Sequence, residues 1–473
     1  MLRSMITVSI LQLSMNFKGL SMKSFLNNFI VILVLLITIN ANLIAQENNY
    51  WNIQYGTRST LLGGTVIGSV SDLSATFYNP GAIALFPDVK FILSAQVYQL
   101  DNYMIKDGAA EGKDLEYSSI VPSPNFVAFD LGFEFLGEDR LAFSILTRQN
   151  SNLEFSARVI DSLEVIESSP GKEKFAGGIN AEKKFNDVWG GITFSTKLSK
   201  RIGVGFTGYI AYRSHDASNV TILQALQSNG EIASYSNITN YKFNNCRTLL
   251  KAGVGINLNP LTIGLTVTSP SLNIFGTGSV GTHLFVSGID TNIFNSNYQE
   301  NIKSKFNSSW TAGLGGAYNF GNIKLHLSTE WYDTINKFNV LDTEPYISQS
   351  SGFLLNNDLT HEAKSVINYG FGLDYFLTDS LIFSFSITTD FSAYVENTFT
   401  NLAAYSAWDL IHIAGGSTFQ IWKSEVTLGL VYSFGSQTLE NKIDITQGSD
   451  DNSVARQSEF QYSQIKVLLG FEL

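Results

Sequence analysis

The sequence predicts an all-β protein: a transmembrane antiparallel β-barrel of about 14 strands, with an N-terminal segment folded back into its lumen. Three observations predict it. A short apolar address opens the chain, period-two alternation persists to the last residue, and the connections between alternating runs are by turns short and long.

The address comes first. Lys23 precedes "FIVILVLLITI", Phe29 to Ile39, and the run gives way to "NANLIAQ". A basic start, a short apolar core and Ala45 at a cleavage-like position read as a secretory signal over residues 1–45, and Met22 fits its start better than Met1. The run is short for a transmembrane helix, which needs about 20 residues. No cysteine follows it, so no lipoprotein anchor is expected.

Composition narrows the class. Charged residues are 15% of the chain, below the roughly 25% of a soluble domain. Aromatics are 13%, and 39 glycines stand against 8 prolines, a mix that suits aromatic-rich strands with small residues at crowded positions. The net charge of −11 is spread along the chain without a Lys/Arg cluster, so no nucleic-acid partner is expected. The single cysteine, Cys246, leaves no disulfide framework and no multi-cysteine metal site.

The strands follow from alternation. In "LIFSFSITTDF", Leu381, Phe383, Phe385 and Ile387 oppose Ile382, Ser384, Ser386 and Thr388; in "EVTLGLVYSF", Val426, Leu428, Leu430 and Tyr432 oppose Glu425, Thr427, Gly429 and Ser433. "QIKVLLGFEL" ends the chain in the same way, with Ile465, Val467, Leu469, Phe471 and Leu473 on one face. Such runs are strands with one apolar face, and the first is placed at Val89 to Gln99.

Tight turns are expected at "LGED" (136–139), "SKR" (199–201), "NP" (259–260), "GN" (321–322), "TDS" (378–380) and "KS" (423–424). Long polar loops are expected at 100–124, 150–187, 215–242, 272–308, 333–365, 396–409 and 435–459, which makes about fourteen strands. "GTHLFVSG" (281–288) could pass for a further strand inside a loop. Outer-membrane barrels segregate short periplasmic turns from long outer loops in this way. Hydrocarbon offers the backbone no hydrogen-bond partner, so a spanning sheet must close on itself.

The segment from Tyr50 to Pro87 breaks the rhythm. Gly63, Gly64 and Gly68 relieve steric limits on its backbone, Asp72 or Ser71 can cap a short helical turn through Tyr78, and Pro80 blocks its clean continuation. The domains expected are thus a signal (1–45), a lumen segment (46–88) and the barrel (89–473).

"LLGGTVIGSVSDLSATFYNPGAIAL" resembles the N-terminal hatch of the FadL/TodX family of outer-membrane transporters of hydrophobic compounds, in which a Gly-rich stretch leads to an Asp-x-x-x-x-x-x-Asn-Pro-Ala element. Asp72, Asn79 and Pro80 match, and Gly81 replaces the usual alanine, which is expected to loosen the local backbone. "LTIGLTVTSPSLNIFGTG" (261–278) resembles the family's strand that ends in Ser-Pro before a long outer loop. The resemblance implies a monomeric barrel in a Gram-negative outer membrane, passive uptake of fatty-acid-like or other hydrophobic molecules, and lateral exit through a kinked strand into the outer-membrane lipid. It also implies a gating role for Gly63, Gly64, Gly68, Asp72, Asn79, Pro80 and Gly81. "RQNSN" (148–152) in strand three reads either as the bend or, more simply, as an ordinary strand end.

No catalytic, cofactor-binding or metal-binding residues stand out. His215, His283 and His361 fall in expected loops, while His326 and His412 point to the lumen by alternation and suit a lumen charge network. A lipid hydrolase would need a Ser–His pair with an orienting group, and the sequence singles out no serine. "GGTVIG" lacks a nucleotide-loop spacing, and "GSDDN" (448–452) reads as a solvated acidic loop rather than a calcium site. The alternative function is a barrel of the same kind serving as a partner in protein secretion.

Overall fold

The computed structural model describes residues 49–86, 90–110, 113–133, 137–163, 171–288, 292–395, 408–422, 424–441 and 456–472. The signal sequence, the junction at residues 87–89, Leu136 and Lys423 of two expected turns, most of the loops expected at 396–409 and 435–459, and the "GSDDN" segment lie outside the described residues.

In chain order the first strands are β1 (Phe91–Ala110), β2 (Lys113–Asp130), β3 (Arg140–Leu163), β4 (Glu173–Ser199), β5 (Ile202–Leu226) and β6 (Ile232–Asn257). There follow β7 (Leu261–Thr268), β8 (Leu272–Ser287), β9 (Ile293–Lys303), β10 (Thr311–Asn319), β11 (Ile323–Tyr332), β12 (Ile335–Leu341), β13 (Tyr346–Ile347), β14 (Leu354–Leu355) and β15 (Leu359–Ala363). The chain ends with β16 (Val366–Thr378), β17 (Leu381–Asp390), β18 (Leu410–Ile421), β19 (Ser424–Asn441) and β20 (Arg456–Glu472).

Fourteen of these form a closed antiparallel wall. The ring runs β1 through β7, then β10, β11 and β16 through β20, and β20 pairs back to β1. β8 and β9 are not wall members: they prolong the β6 ladder outward past β7. Two small sheets, β12 with β15 and β13 with β14, complete the described outer region.

Closure sorts the side chains as the alternation requires. Phe383, Phe385 and Ile387 of β17 and Leu428, Leu430 and Tyr432 of β19 are exposed on the outside, while Ser384, Ser386, Thr388, Thr427 and Ser433 are buried inside. A continuous apolar outer belt around a polar interior is the arrangement that hydrocarbon surroundings select.

The short turns fall where expected, between β4 and β5 at 200–201 and between β16 and β17 at 379–380, for example. The long loops are largely a correction. Residues 100–124, 150–187, 215–242 and 272–308, expected as polar loops, are mostly strand: the β5–β6 ladder runs unbroken from Ile202↔Ile256 to Leu226↔Ile232. Strand one extends to Ala110 rather than ending at Gln99. Beyond the apolar belt a strand meets water on its outer face, so alternation fades while the backbone ladder continues. Burial still alternates there, with Phe175, Ile179, Lys183 and Phe185 of β4 buried, but charged residues stand on the buried face and polar ones outside, so hydropathy no longer reports it. His215 consequently lies in β5, His283 in β8 and His361 in β15, and "GTHLFVSG" apart from Gly288 belongs to β8.

Residues 49–86 lie inside the wall. They include helix α1 (Arg58–Leu61), helix α2 (Ala75–Tyr78) and a 3₁₀ helix (Pro80–Leu85). Their contacts run around the barrel: Gly56 O accepts from Ser94 Oγ of β1, Thr76 O from Tyr209 of β5, Leu61 O from Ser386 of β17, and Asn52 O from Lys466 of β20.

The outer belt makes a testable claim. Leu430 stands mid-way along the apolar stretch of β19 and faces outward, so Leu430→Arg is expected to destabilise the barrel by about 2–4 kcal/mol in a bilayer. Urea titration of the barrel refolded into lipid vesicles measures this; an unchanged midpoint would contradict a hydrocarbon-facing surface.

Candidate functional site

The inner segment is built to fit tightly. Gly63 and Gly64 take φ of +59° and +74°, a backbone region costly for residues with a Cβ. Asp72 is buried and accepts the backbone N–H of Ser74 at 2.7 Å, with Ser74 Oγ and Ser59 Oγ as further donors. It therefore orders the approach to α2, whose own N-cap residue is Ser74. Pro80 does more than stop α2, since it opens the 3₁₀ helix at a position where a missing N–H costs nothing.

Asn79 is the junction. Fully buried, it donates from Nδ2 to the carbonyls of Ile67 (2.9 Å) and Val254 of β6 (3.0 Å), and its Oδ1 accepts the N–H of Gly81. Gly81 corrects the expectation of a loosened backbone. A Cβ there would stand 2.5 Å from the carbonyl oxygen of Gly253 and 2.7 Å from that of Gly203. The 3₁₀ helix thus lies directly on the backbones of β5 and β6, and glycine is present because alanine does not fit. Gly68 makes a similar approach to Gly315 of β10.

A second junction joins the segment to β11 and β16. Ser69 Oγ is 2.7 Å from His326 Nδ1, His326 Nε2 is 3.0 Å from Asp374 Oδ2, and Asp374 also receives Ser384 Oγ and the Arg58 guanidinium at 3.6 Å. The order of groups is that of a serine relay, and His326 faces the lumen as its alternation requires. Yet His326 and Asp374 are fully buried, and Asp374 is shared with a wall serine and a segment arginine. The arrangement ties Arg58 and Ser69 to β11 and β16. His412, also inward, bonds Ser433 and faces Asp390 at 3.5 Å.

Outward along the lumen from these contacts lies a cavity of about 60 Å³. On β6 its lining residues Arg247 and Leu249 lie further out than Gly253 and Gly255, which the segment covers. Tyr50 contributes from the segment, Asp187 and Trp189 from β4, Tyr332 from β11, and Phe306 and His361 from the outer region. Its polar groups are interlocked. Asp187 Oδ2 takes Arg247 Nη2 at 2.5 Å and Arg213 Nη1 at 3.4 Å, while Oδ1 takes the Trp189 indole N–H at 3.0 Å. Nearby, Glu330 receives the Trp51 indole N–H at 2.9 Å and pairs with Lys251 at 3.5 Å.

The wall beside this cavity is incompletely paired. β2 and β3 have 18 and 24 residues, yet share only five pairs, from Phe126↔Leu146 to Asp130↔Ala142. β3 bulges against β4 between Thr147 and Gln149 and then continues to Leu163. "RQNSN" is therefore a bend inside a strand and not the strand end that was the simpler reading. Arg148 and Gln149, at the bulge, line the cavity. From inside, the N-terminal segment covers the slot: Tyr55 OH donates to Thr147 O, Asn125 Nδ2 to Gln54 O, and Arg148 Nη1 to Tyr50 O. The Arg148 guanidinium also lies 5.6–5.9 Å from the rings of Phe77, Trp189 and Tyr50, at cation–π distance.

Sequence reasoning placed the segment's residues and singled out Arg148 only as part of the "RQNSN" bend, but missed Asp187, Arg213, Arg247 and Phe306. The available signal was a run of charged residues at inward-facing strand positions, which from sequence merges with a general lumen polarity.

No protein-family model and no curated protein matches the sequence. Solved structures do match. The toluene transporter TodX of Pseudomonas putida is 14% identical, with a TM-score of 0.56 over 90% of this chain and 99% of that one. A FadL homologue of Pseudomonas aeruginosa is 13% identical, with a TM-score of 0.56 over 89% and 99%. The toluene transporter TbuX of Ralstonia pickettii is 11% identical, with a TM-score of 0.52 over 89% and 98%. The chain has the fold of the FadL/TodX barrels along nearly its whole described length.

Two substitutions test the seating of the segment. Asn79→Ala removes three buried hydrogen bonds and leaves two carbonyls without that donor, an expected cost of about 1–3 kcal/mol. It should raise the ion leak of single barrels in planar bilayers. Gly81→Ala forces a methyl group against two backbone carbonyls, and at about 1–3 kcal/mol of overpacking it should raise protease cleavage within residues 49–86 while the wall stays heat-resistant. A leak and a cleavage pattern like those of the parent would contradict a tightly seated segment.

Proposed function

We propose that the protein is a channel of a Gram-negative outer membrane for passive uptake of hydrophobic small molecules, which it delivers sideways into the membrane lipid. One observation carries this reading: the lumen cavity abuts the place where the β2–β3 ladder stops, so Arg148 and Gln149 belong to both. Lateral release is the favourable route for an apolar molecule, because emergence into water forfeits about 0.8 kcal/mol per CH₂. The shared fold with toluene transporters supports the same cargo class.

Gating then belongs to the N-terminal segment, with Gly63, Gly64, Gly68, Asp72, Asn79, Pro80 and Gly81 holding it in its closed seat. At about 60 Å³ the cavity is well below the roughly 300–1,000 Å³ of small-molecule sites, so a passing ligand must displace Tyr50 and its neighbours, and their covering of the slot goes with them. The protein acts as a single barrel and needs no cofactor.

Pro122 and Pro124 occupy the stretch of β2 that has no β3 partner, and a residue without N–H is tolerated where a strand is an edge. Replacing both with valine supplies donors and should zip the slot. Cells making the parent barrel are expected to take up radiolabelled oleate or toluene faster than vector controls, and the double variant to take it up several-fold more slowly at equal barrel levels, on the order of 1 kcal/mol in the barrier. Parent uptake equal to the vector control would overturn the channel reading.

A further inference from the structure

The cavity already holds a ring. Phe306 lies on Ser304–Trp310, the stretch between β9 and β10, and its side chain is buried over two guanidinium groups, 4.1 Å from Arg213 Cζ and 5.1 Å from Arg247 Cζ. It also stacks on His361, with centroids 5.2 Å apart and planes 29° apart. The seat is thus flat, with cationic faces.

What the seat lacks is an acceptor. Arg247 is 1% exposed, and only its Nη2 is bonded, to Asp187; Nε and Nη1 have no hydrogen-bond partner among the described residues. Asp187 is the one carboxylate among the described lining residues, and its oxygens already serve Arg247, Arg213 and Trp189. Arg247 therefore shares its carboxylate with two other donors while two of its own nitrogens stay open. Buried cationic donors left unpaired are costly, and a phenyl side chain offers them a π face but no lone pair.

The stretch that carries Phe306 is suited to withdraw. It connects β9 to β10, which do not pair with each other; backbone bonds tie Ser304 to Gly276, Lys305 to Val340 and Trp310 to Asp333, whereas Phe306 to Ser308 between them are held by side chains. Phe306 N–H donates to Asn273 Oδ1, Ser271 Oγ donates to Phe306 O and accepts from Ser308 N–H, and Asn273 Nδ2 donates to Asn307 Oδ1.

We propose that this seat is a binding site for an aromatic carboxylate, and that Phe306 is its displaceable resident. The ligand's ring replaces the Phe306 ring on Arg213, Arg247 and His361, and its carboxylate accepts from the unpartnered Nη1–H of Arg247. The inference rests on the reading that the cavity lies on the ligand route, and it assigns a charge to part of the cargo.

The experiment compares biphenyl-4-carboxylate with its neutral counterpart biphenyl-4-carboxamide, binding to the purified full barrel in non-ionic detergent by calorimetry. The parent should prefer the carboxylate by about tenfold, the worth of one charge-assisted bond. Phe306→Ala should bind the carboxylate about tenfold more tightly, because the resident no longer competes. Arg247→Gln should bring the two probes to similar affinities. Equal binding of both probes by parent and Phe306→Ala overturns the proposal, and the parent comparison alone decides it if a variant does not fold. Failure here with oleate or toluene uptake intact removes the aromatic-anion site and leaves the channel; loss of parent uptake removes the channel.

Discussion

Backbone pairing in a medium without water governs this structure. A sheet that faces hydrocarbon must bond every N–H and C=O to a neighbour, and closing fourteen strands into a ring does so without an edge. Against that rule the β2–β3 interval is conspicuous, because five pairs serve two strands long enough for many more. The N-terminal segment makes good part of the deficit from within, through Tyr55 OH on the Thr147 carbonyl, and Asn125 of β2 holds the segment there by donating to the Gln54 carbonyl. The slot and the segment are therefore one device: whatever moves the segment removes bonds from the edge it covers.

The seating of that segment explains how it can be both firm and movable. It uses many small contributions, each buried bond being worth about 0.5–1.5 kcal/mol net, spread over strands on all sides of the lumen. Two of its contacts are close backbone approaches, Gly81 on Gly203 and Gly253, and Gly68 on Gly315. Asn79 and the Ser69–His326–Asp374 chain lock two points of the segment to the wall, at β6 and at β11 with β16. The stretch that covers the slot, Asn49 to Tyr55, lies away from both locks in sequence, and the opening proposed for it must break its own bonds, among them Tyr55 N–H on Tyr78 Oη and the Trp51 indole on Glu330.

The sequence carried the barrel but not its openings. Alternation in β17, β19 and β20 was legible because burial there is one-sided, and the short turns were legible from their turn residues. The outward extensions of β3 to β6 were not, since their outer face is polar and their buried inner face mixes charged and small residues such as Lys183, Arg213 and Ala217 with apolar ones, so hydropathy no longer shows the period. Asp72, Asn79 and Pro80 were visible as a local motif, whereas the reason for Gly81 lies in Gly203 and Gly253, more than a hundred residues away. The cavity was invisible for the same cause: Arg148, Asp187, Arg247 and Phe306 come from four separate places in the chain and meet only after closure. "RQNSN" shows the limit plainly, because a bulge and a strand end have the same polar signature until the partner strand is known.

The central claim is that ligand leaves the lumen between β2 and β3. Photo-crosslinking with a diazirine-bearing fatty acid supplied to cells, followed by mapping of the adducts, tests it most directly. Lateral exit predicts adducts concentrated on the unpaired part of β3 from Thr147 onward and on the facing stretch of β2. Adducts on the exposed residue Ser71 and the inner segment's turns, with the slot unlabelled, would mean passage along the barrel axis and would contradict it.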